Sequence, residues 1–254
     1  MPWLNVPFLA VERNNFEILD MCIKTGVDLE QFRNLNGMTL LACSVAKMEL
    51  NHEMINVLLE CIGVNIYTID GETPLNTCIS NEEISVKEKI LLLQKVIDAG
   101  AEIRTRSSCR ETILHIFIRP LETYIDIPKL AGWKSVLDIL LARGIDINAV
   151  DLYGQSALMA VIGSIPHTGL EDSVEYDTMA RRNSIDFRQC KTEIVEYLLH
   201  NGADPEVTDS CGSTSLYMAL ANMNVAVVDT LVKHGSNGNH QTNIKMSPAY
   251  FICC

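Results

Sequence analysis

The sequence has few basic residues for its length of 254. Twenty Lys and Arg stand against 32 Asp and Glu, which gives a formal net charge of −12 at pH 7. Proteins that bind a phosphate backbone need a basic patch or stripe, because neutralised phosphates supply much of their affinity. We therefore expect no nucleic-acid ligand. The negative charge either keeps a long apolar chain soluble or favours a basic partner, and the sequence leaves both readings open.

Long apolar runs are absent, although 48% of the residues are hydrophobic. No uninterrupted run approaches the roughly 18 residues that a membrane-spanning helix needs, so we expect no membrane insertion. The first residues, MPWLNVPFLAVERNN, lack the basic region and apolar core of a secretory signal. The nine cysteines then indicate free thiols in a reducing compartment. We expect a cytoplasmic or nuclear protein.

The short motifs of common enzyme sites are missing as well. The sequence has no CxxC or HExxH metal spacing, no glycine-rich phosphate loop and no nucleophile elbow. Its six histidines have simpler explanations. His200 and His234, for example, fall in the last turns of predicted helices, where a cation is favoured. We therefore predict a non-catalytic chain that needs no cofactor and no metal.

A repeated unit is present, and it is clearest over residues 191–239. There an apolar helical run ends at Gly202, a turn glycine follows at Gly212, and two further helical runs end at Gly235. Two short helices with one apolar stripe each cannot bury those stripes alone. Copies of such a unit must therefore stack side by side.

The segment GADPEVTDSCGSTSLYMAL resembles the ankyrin repeat, whose Gly-Ala-Asp, turn and Gly-x-Thr-Pro-Leu-His-x-Ala pattern recurs about every 33 residues. Related copies follow in register: GMTLLACS at Gly37, GETPLNTC at Gly71, RETILHIF at Arg110, GQSALMAV at Gly154 and KMSPAYFI at Lys245. The resemblance implies an all-α ankyrin-repeat solenoid of stacked helical hairpins. It also implies that His115, in the Leu-His position, is hydrogen-bonded to neighbouring turn backbone.

We predict a single ankyrin-repeat domain over residues 1–254. Its parts are an N-terminal capping repeat at 1–33, repeat one at 34–67, repeat two at 68–106, repeat three at 107–150, repeat four at 151–208, repeat five at 209–241 and a truncated repeat six at 242–254. The final Cys253 and Cys254 also resemble a double-cysteine prenylation end. We favour a repeat cut short, and so expect the natural chain to continue beyond residue 254.

In repeat three Arg110 replaces the turn glycine, so this repeat departs from the pattern. Repeats three and four are also longer than the others. The distance along the chain from turn residue to closing glycine is shortest in repeat five and much longer from Arg110 to Gly144 and from Gly154 to Gly202. The extra residues fall between the two helices of a repeat, at about 163–188 in repeat four. A loop of that length without regular structure is functional or disordered.

The repeat-four insertion contains a candidate modification site. Its segment RRNSI, residues 181–185, resembles the site pattern of basophilic kinases, with two arginines, one residue, a serine and an apolar residue. Phosphate on Ser184 would add nearly two negative charges beside several arginines and could fold the loop onto them. We predict that Ser184 is phosphorylated.

The resemblance places partner binding on a concave surface made of the hairpin tips and the exposed sides of the first helices. The candidate residues flank the turn positions or end the first helices: Asn36, Met38, Asp70, Glu72, Glu111, Tyr153, Gln155, Ser213 and Asn222. At equivalent first-helix positions we also expect exposed side chains, namely those of Ala46, Lys47, Ser80, Asn81 and Ala221. Tyr153 is the expected anchor, because an aromatic ring with a polar tip dominates interface energies.

Two functions fit these features. The first is a monomeric, non-catalytic scaffold or adaptor that binds a partner protein, for which a basic segment would match the negative charge. The second is the N-terminal regulatory region of a larger protein, such as a ubiquitin-ligase adaptor, a channel or an enzyme, whose activity lies beyond residue 254. The sequence does not separate them.

Overall fold

The computed structural model describes residues 6–81, 83–119, 132–163 and 189–239. Within these ranges the regular elements are helices, and strand pairing is limited to isolated bridges. The helices are α1 (Val6–Glu12), α2 (Phe16–Lys24), α3 (Leu40–Val45), α4 (His52–Cys61), α5 (Pro74–Ser80), α6 (Val86–Asp98), α7 (Ile113–Ile118), α8 (Trp133–Ala142), α9 (Ala157–Gly163), α10 (189–200), α11 (Ser215–Ala221) and α12 (Val225–Lys233). A 3-10 turn, Leu29–Gln31, follows α2.

The chain divides into two compact units. Among the described residues, the first comprises 6–81, 83–117 and 132–145, and the second comprises 118–119, 146–163 and 189–239. In the first unit α1 packs on α2 and α3, α3 packs on α4 and α5, α5 packs on α6, and α6 packs on α8. In the second unit α9 packs on α11 and α11 packs on α12. Each unit is therefore built from helical hairpins whose first helices contact one another in sequence order.

Helices this short are not stable alone in water, so packing must supply their stability. In the first unit the interhelical core includes Leu41, Leu58 and Leu93, all fully buried. In the second unit Leu198 and Leu231 are fully buried in the same way. The predicted all-α stack of helical hairpins is confirmed, while the predicted insertion of repeat four falls almost entirely outside the described residues.

Helix starts are fixed by short polar side chains. First helices begin after Thr39, Thr73, Ser156 and Thr214, and the hydroxyl of each accepts a hydrogen bond from the N–H three residues later. Second helices begin after Asn15, Asn51, Ser85 and Asn224, whose side chains accept in the same way. Such N-caps satisfy backbone donors that have no partner inside the helix.

Repeats one to five each begin with a tight hairpin turn, and these five turns close in the same way. They begin at Asn34, Thr68, Ser107, Asp151 and Asp209. In each turn the N–H of the first residue donates to the carbonyl of the fifth residue. The carbonyl of the first residue accepts a hydrogen bond from the N–H of the fourth residue. The side-chain oxygen of the first residue also accepts the N–H of the fifth residue. The second to fifth residues of every turn therefore lie at equivalent places, which we call the hairpin tips.

Paired hydrogen bonds from asparagine side chains tie adjacent repeats together beyond the second helices. Asn65 donates to the carbonyl of Gly100 at 3.1 Å and accepts from the N–H of Glu102 at 2.8 Å. In the second unit Asn148 makes the same two bonds to the equivalent residues, at the same distances. Because the two bonds fix both ends of one amide, they hold neighbouring loops in register.

The fourth residue of each hairpin turn has a positive φ. Glycine occupies this position in four turns, with φ between 71 and 79°, but Arg110 occupies it in repeat three with φ of 59°. For a residue with a Cβ, adopting this left-handed backbone conformation lowers the stability of the fold by roughly 1–2 kcal/mol. The expected departure of repeat three at Arg110 is therefore a local backbone strain.

Replacing Arg110 with glycine should raise the free energy of unfolding by about 1 kcal/mol, because glycine adopts positive φ without a steric cost. Urea unfolding followed by circular dichroism measures the change. Ser108→Gly is the matched control, since Ser108 lies in the same turn with a negative φ, and it should leave stability unchanged or lower it. Equal effects from the two substitutions would show that Arg110 carries no strain.

Candidate partner-binding surface

Two hairpin tips of the first unit lie side by side. The N–H of Ile69 donates to the carbonyl of Gly37 at 3.2 Å, which joins the turn of repeat one to that of repeat two. Leu35 and Ile69 occupy the second position of these turns and are 106% and 79% exposed. Asn36 is exposed beside Leu35, and Met38 is half-buried. We call Leu35, Asn36, Met38, Ile69, Asp70 and Glu72 the tip surface.

Sequence reasoning missed Leu35 and Ile69. An apolar residue in the second position of NLNG, TIDG and DLYG is the signal that could have found them, because the following residues already mark a turn. Side chains at that position have no neighbouring helix to cover them. Exposed apolar side chains that lie together on neighbouring turns are a feature of interaction sites, whereas single ones are ordinary.

Carboxylates flank the apolar part of the tip surface. Asp70 is exposed, Glu72 is half-buried, and Glu111 occupies the position of Glu72 in the next hairpin. Burial raises the pKa of the Glu72 carboxyl, the nearby Asn76 amide lowers it in part, and the charges of Glu111 and Asp70 raise it further. Glu72 is therefore repelled by both neighbouring carboxylates, and a cation bound beside it would relieve that repulsion.

The second unit has a smaller exposed apolar group at its own hairpin tips. Leu152 and Tyr153 are exposed, and the carbonyl of Tyr153 accepts the N–H of Ser210 at 2.8 Å, which joins the tips of repeats four and five. The buried Asp151 carboxylate accepts the N–H of Tyr153 at 2.8 Å and that of Gln155 at 2.9 Å, and it lies 3.8 Å from the Arg119 guanidinium. Tyr153 is thus presented on a well-fixed turn.

Two of the candidate residues in the second unit offer little side-chain surface. Ser213 is buried, and its N–H is bonded to Asp209. Asn222 is half-buried, and its amide donates to a carbonyl of α9, that of Ile162, at 2.8 Å. Gln155 is half-buried beside Tyr153. Of these three side chains, that of Asn222 links repeat five to repeat four.

At the ends of the first helices in the first unit, Ala46 and Ser80 are exposed as expected, but Lys47 and Asn81 differ from expectation. Asn81 is buried, and its amide donates to carbonyls at the end of α3 at 2.8 and 3.1 Å, so its predicted exposure is wrong. Lys47 is half-buried, and its Nζ donates to the last two carbonyls of α1 at 2.6 and 2.9 Å. The physical reason is that carbonyls in the last turn of a helix have no partner inside that helix. The next repeat supplies the missing donor.

His115 is buried where the repeat pattern places it. Its Nδ1 lies 2.8 Å from the hydroxyl of Thr112 and accepts the N–H of Thr112 at 3.2 Å. The expected hydrogen bond to neighbouring turn backbone is therefore confirmed. Asn76 occupies the same position in repeat two, where its buried amide makes no hydrogen bond of normal geometry.

Several further observations concern chemistry and location. Burial raises the pKa of the Cys78 thiol to about 12, so this cysteine stays protonated and unreactive at neutral pH.

The described residues contain no group of three or more His, Cys, Asp and Glu side chains arranged to hold a metal ion. None of their helices combines the length and the hydrophobicity that crossing a membrane requires. Ser184 and its kinase-like segment lie outside the described residues.

Residues 184–232 match the family model described as ankyrin repeats (many copies). No curated protein sequence matches the chain. Among solved structures, the ankyrin repeat domain of Bcl-3, a member of the IkappaB protein family, has a TM-score of 0.69 and 18% identity, covering 99% of this chain and 95% of that one.

Two bacterial structures are similar to a comparable extent. An ankyrin repeat domain from Acinetobacter baumannii AYE has a TM-score of 0.65 and 18% identity, with 91% of this chain and 98% of that one covered. A chain in the complex of the predatory endopeptidase Bd0816 from Bdellovibrio bacteriovorus with immunity protein Bd3460 has a TM-score of 0.64 and 19% identity, with coverages of 90% and 97%. At these identities the likeness establishes the fold.

Proposed function

Because this chain is built of ankyrin repeats, we propose that it is a non-catalytic scaffold or adaptor that binds another protein through its tip surface. The fold is commonly a protein interaction module, since stacked repeats present an extended continuous surface. One protein chain with the same fold occurs in a complex of an endopeptidase with its immunity protein. In this proposal the chain acts as a monomer in the cytoplasm or nucleus.

The observation that carries the proposal is the pair of exposed apolar side chains beside a group of carboxylates. Covering Leu35 and Ile69, which are left in water, would contribute roughly 1.5–3 kcal/mol each if both became fully buried. The adjacent carboxylates of Asp70 and Glu72 favour a positively charged neighbour and disfavour a negative one. The partner that fits best is a protein segment with apolar residues next to Lys or Arg.

Tyr153 provides a separate anchor in the second unit. Its ring is exposed, and its backbone N–H and carbonyl are both held by hydrogen bonds. Because this turn is already ordered, binding should cost little backbone entropy there. Beside it Leu152 adds exposed apolar area. We propose that this pair is a contact point of its own for a partner protein within repeats four and five.

Selection from a random peptide library tests the partner class. We expect the selected peptides to be enriched in Lys, Arg and apolar residues, and their Kd to increase with salt, because screening weakens exposed charge pairs. The tip variant combines Leu35→Ser, Ile69→Ser and Asp70→Asn. The control variant makes matched changes at exposed positions of the first unit away from the hairpin tips, namely Met21→Ser, Met48→Ser and Glu60→Gln.

Fluorescence anisotropy with a selected peptide then locates the site. The tip variant should raise Kd at least tenfold, since it removes both apolar contacts and one carboxylate. The control variant should leave Kd within twofold of the original. Selected peptides with no excess of positive charge would contradict the partner class. A larger loss in the control variant than in the tip variant would contradict the location.

A further inference from the structure

Two histidines lie against each other in the second unit, away from the hairpin tips. His200 ends α10, and His234 follows α12 one repeat later. Their ring centroids are 4.9 Å apart, and the ring planes meet at 79°. His200 is exposed and His234 is half-buried, so solvent reaches the pair.

The helix backbone fixes which nitrogen of each ring carries the proton. Nδ1 of His200 lies 2.8 Å from the carbonyl oxygen of Glu196, and Nδ1 of His234 lies 2.9 Å from that of Thr230. A carbonyl oxygen only accepts hydrogen bonds, so Nδ1 must be the donor. The neutral ring then keeps its lone pair on Nε2. Histidines that bind metals are oriented in this way, with one nitrogen donating to a carbonyl and the other facing the ion.

The separation of the rings suits one shared ion. Two imidazoles bound to the same tetrahedral ion, with metal–nitrogen distances of about 2.0–2.1 Å, have their centroids about 5 Å apart. The observed centroid separation of 4.9 Å is close to that value. Water can occupy the remaining coordination positions on the exposed side.

The surrounding charges favour a cation. Asp229 forms an ion pair with Lys233, whose Nζ lies 2.6 Å from the Asp229 carboxylate. Glu196, whose backbone carbonyl is bonded to His200, is a second acidic residue one helical turn before that ring. Two carboxylates against one ammonium give the neighbourhood of the histidines a negative balance, which attracts divalent cations.

We propose that His200 and His234 bind one divalent transition-metal ion through their Nε2 atoms and so link repeats four and five. Imidazole nitrogen suits Zn²⁺, Ni²⁺ and Cu²⁺, whereas Mg²⁺ prefers oxygen ligands. No third side-chain ligand is assigned, in keeping with the lack of larger ligand groups among the described residues. Because the ion joins side chains from successive repeats, its binding stabilises their stacking.

A titration with Zn²⁺ tests the proposal when the imidazole nitrogens are observed by ¹H–¹⁵N NMR, which separates binding at histidine from binding at cysteine. We expect the Nε2 resonances of both histidines to shift together and to saturate at one equivalent of Zn²⁺. An equal amount of Mg²⁺ should produce no shift. Zn²⁺ shifting only one of the two resonances would overturn the proposal.

The variant His200→Gln provides the second arm. The side chain is exposed, so the fold should be retained, and unchanged backbone resonances elsewhere check this. Loss of one of two chelating ligands should weaken the Zn²⁺ response of His234 at least tenfold. A response of His234 at the original Zn²⁺ concentration would show that the two imidazoles act independently, and the shared site would be rejected.

Discussion

Replacing Leu198 with aspartate should lower the free energy of unfolding by about 4 kcal/mol, which is among the larger effects of a single substitution. Leu198 lies on α10 and is completely buried within the second unit. The substitution removes its apolar contacts and places a carboxylate where water does not reach. Because contacts in a repeat stack run mainly between neighbours, the loss should be felt first by α10 and the hairpin of α11 and α12.

Hydrogen exchange over residues 189–233, together with urea unfolding, measures this effect. Leu220→Asp is the matched control, because Leu220 lies in the same unit on α11 and is 57% exposed. That control should change stability by no more than about 0.5 kcal/mol. If the two aspartates were equally tolerated, the assignment of Leu198 to the core of the stack would be wrong.

Replacing Gly154 with alanine should cost about 3 kcal/mol, through two separate causes. The φ of Gly154 is +77°, a left-handed conformation that costs a residue with a Cβ roughly 1–2 kcal/mol. The added Cβ would also lie 2.8 Å from the backbone nitrogen of Ser210 and 3.0 Å from the carbonyl carbon of Asp209. These atoms belong to the next hairpin, which must move and strain the 2.8 Å bond from Ser210 to Tyr153.

Gly202→Ala separates the two causes. Gly202 has φ of +90°, but a Cβ added there meets no atom within 4 Å. Its substitution should therefore cost only the conformational part, about 1–2 kcal/mol. Urea unfolding of both variants gives the difference, which reports the close approach of the two hairpin tips. Equal losses would mean that the tips of repeats four and five are not in contact.

The sequence predicted the fold best at positions where every repeat needs the same backbone conformation. A hairpin turn whose fourth residue has positive φ selects glycine, and this made Gly37, Gly71 and Gly154 visible as markers of successive repeats. The same logic identified Arg110 as a departure. The buried hydrogen bond of His115 followed from its place in the repeated pattern.

Contacts between repeats were harder to foresee. Asn81 is polar and follows a first helix, which suggested an exposed side chain. In the structure its side-chain amide instead donates hydrogen bonds to carbonyls of the preceding repeat. The local sequence does not show how closely two helices approach, and that distance decides whether a polar side chain reaches a neighbour or water. The pairing of His200 with His234 went unnoticed for the same reason.

The candidate surface was predicted only in part. Asp70 and Glu72 were found because they flank a turn glycine. The charges of Asp70 and Glu111 both raise the pKa of Glu72, which shows that the two carboxylates lie near it. Leu35 and Ile69 were missed because apolar residues are first assigned to a core. Their exposure became evident only when the turn geometry showed that no helix covers them.

The most direct test of the proposed interaction is a ¹H–¹⁵N NMR footprint of a selected peptide on the backbone of the whole chain. The account predicts that resonances of residues 34–38 and 68–72, the turns that carry the tip surface, shift most on binding. Shifts confined to the second helices α2 and α4, with the two turns unchanged, would contradict it.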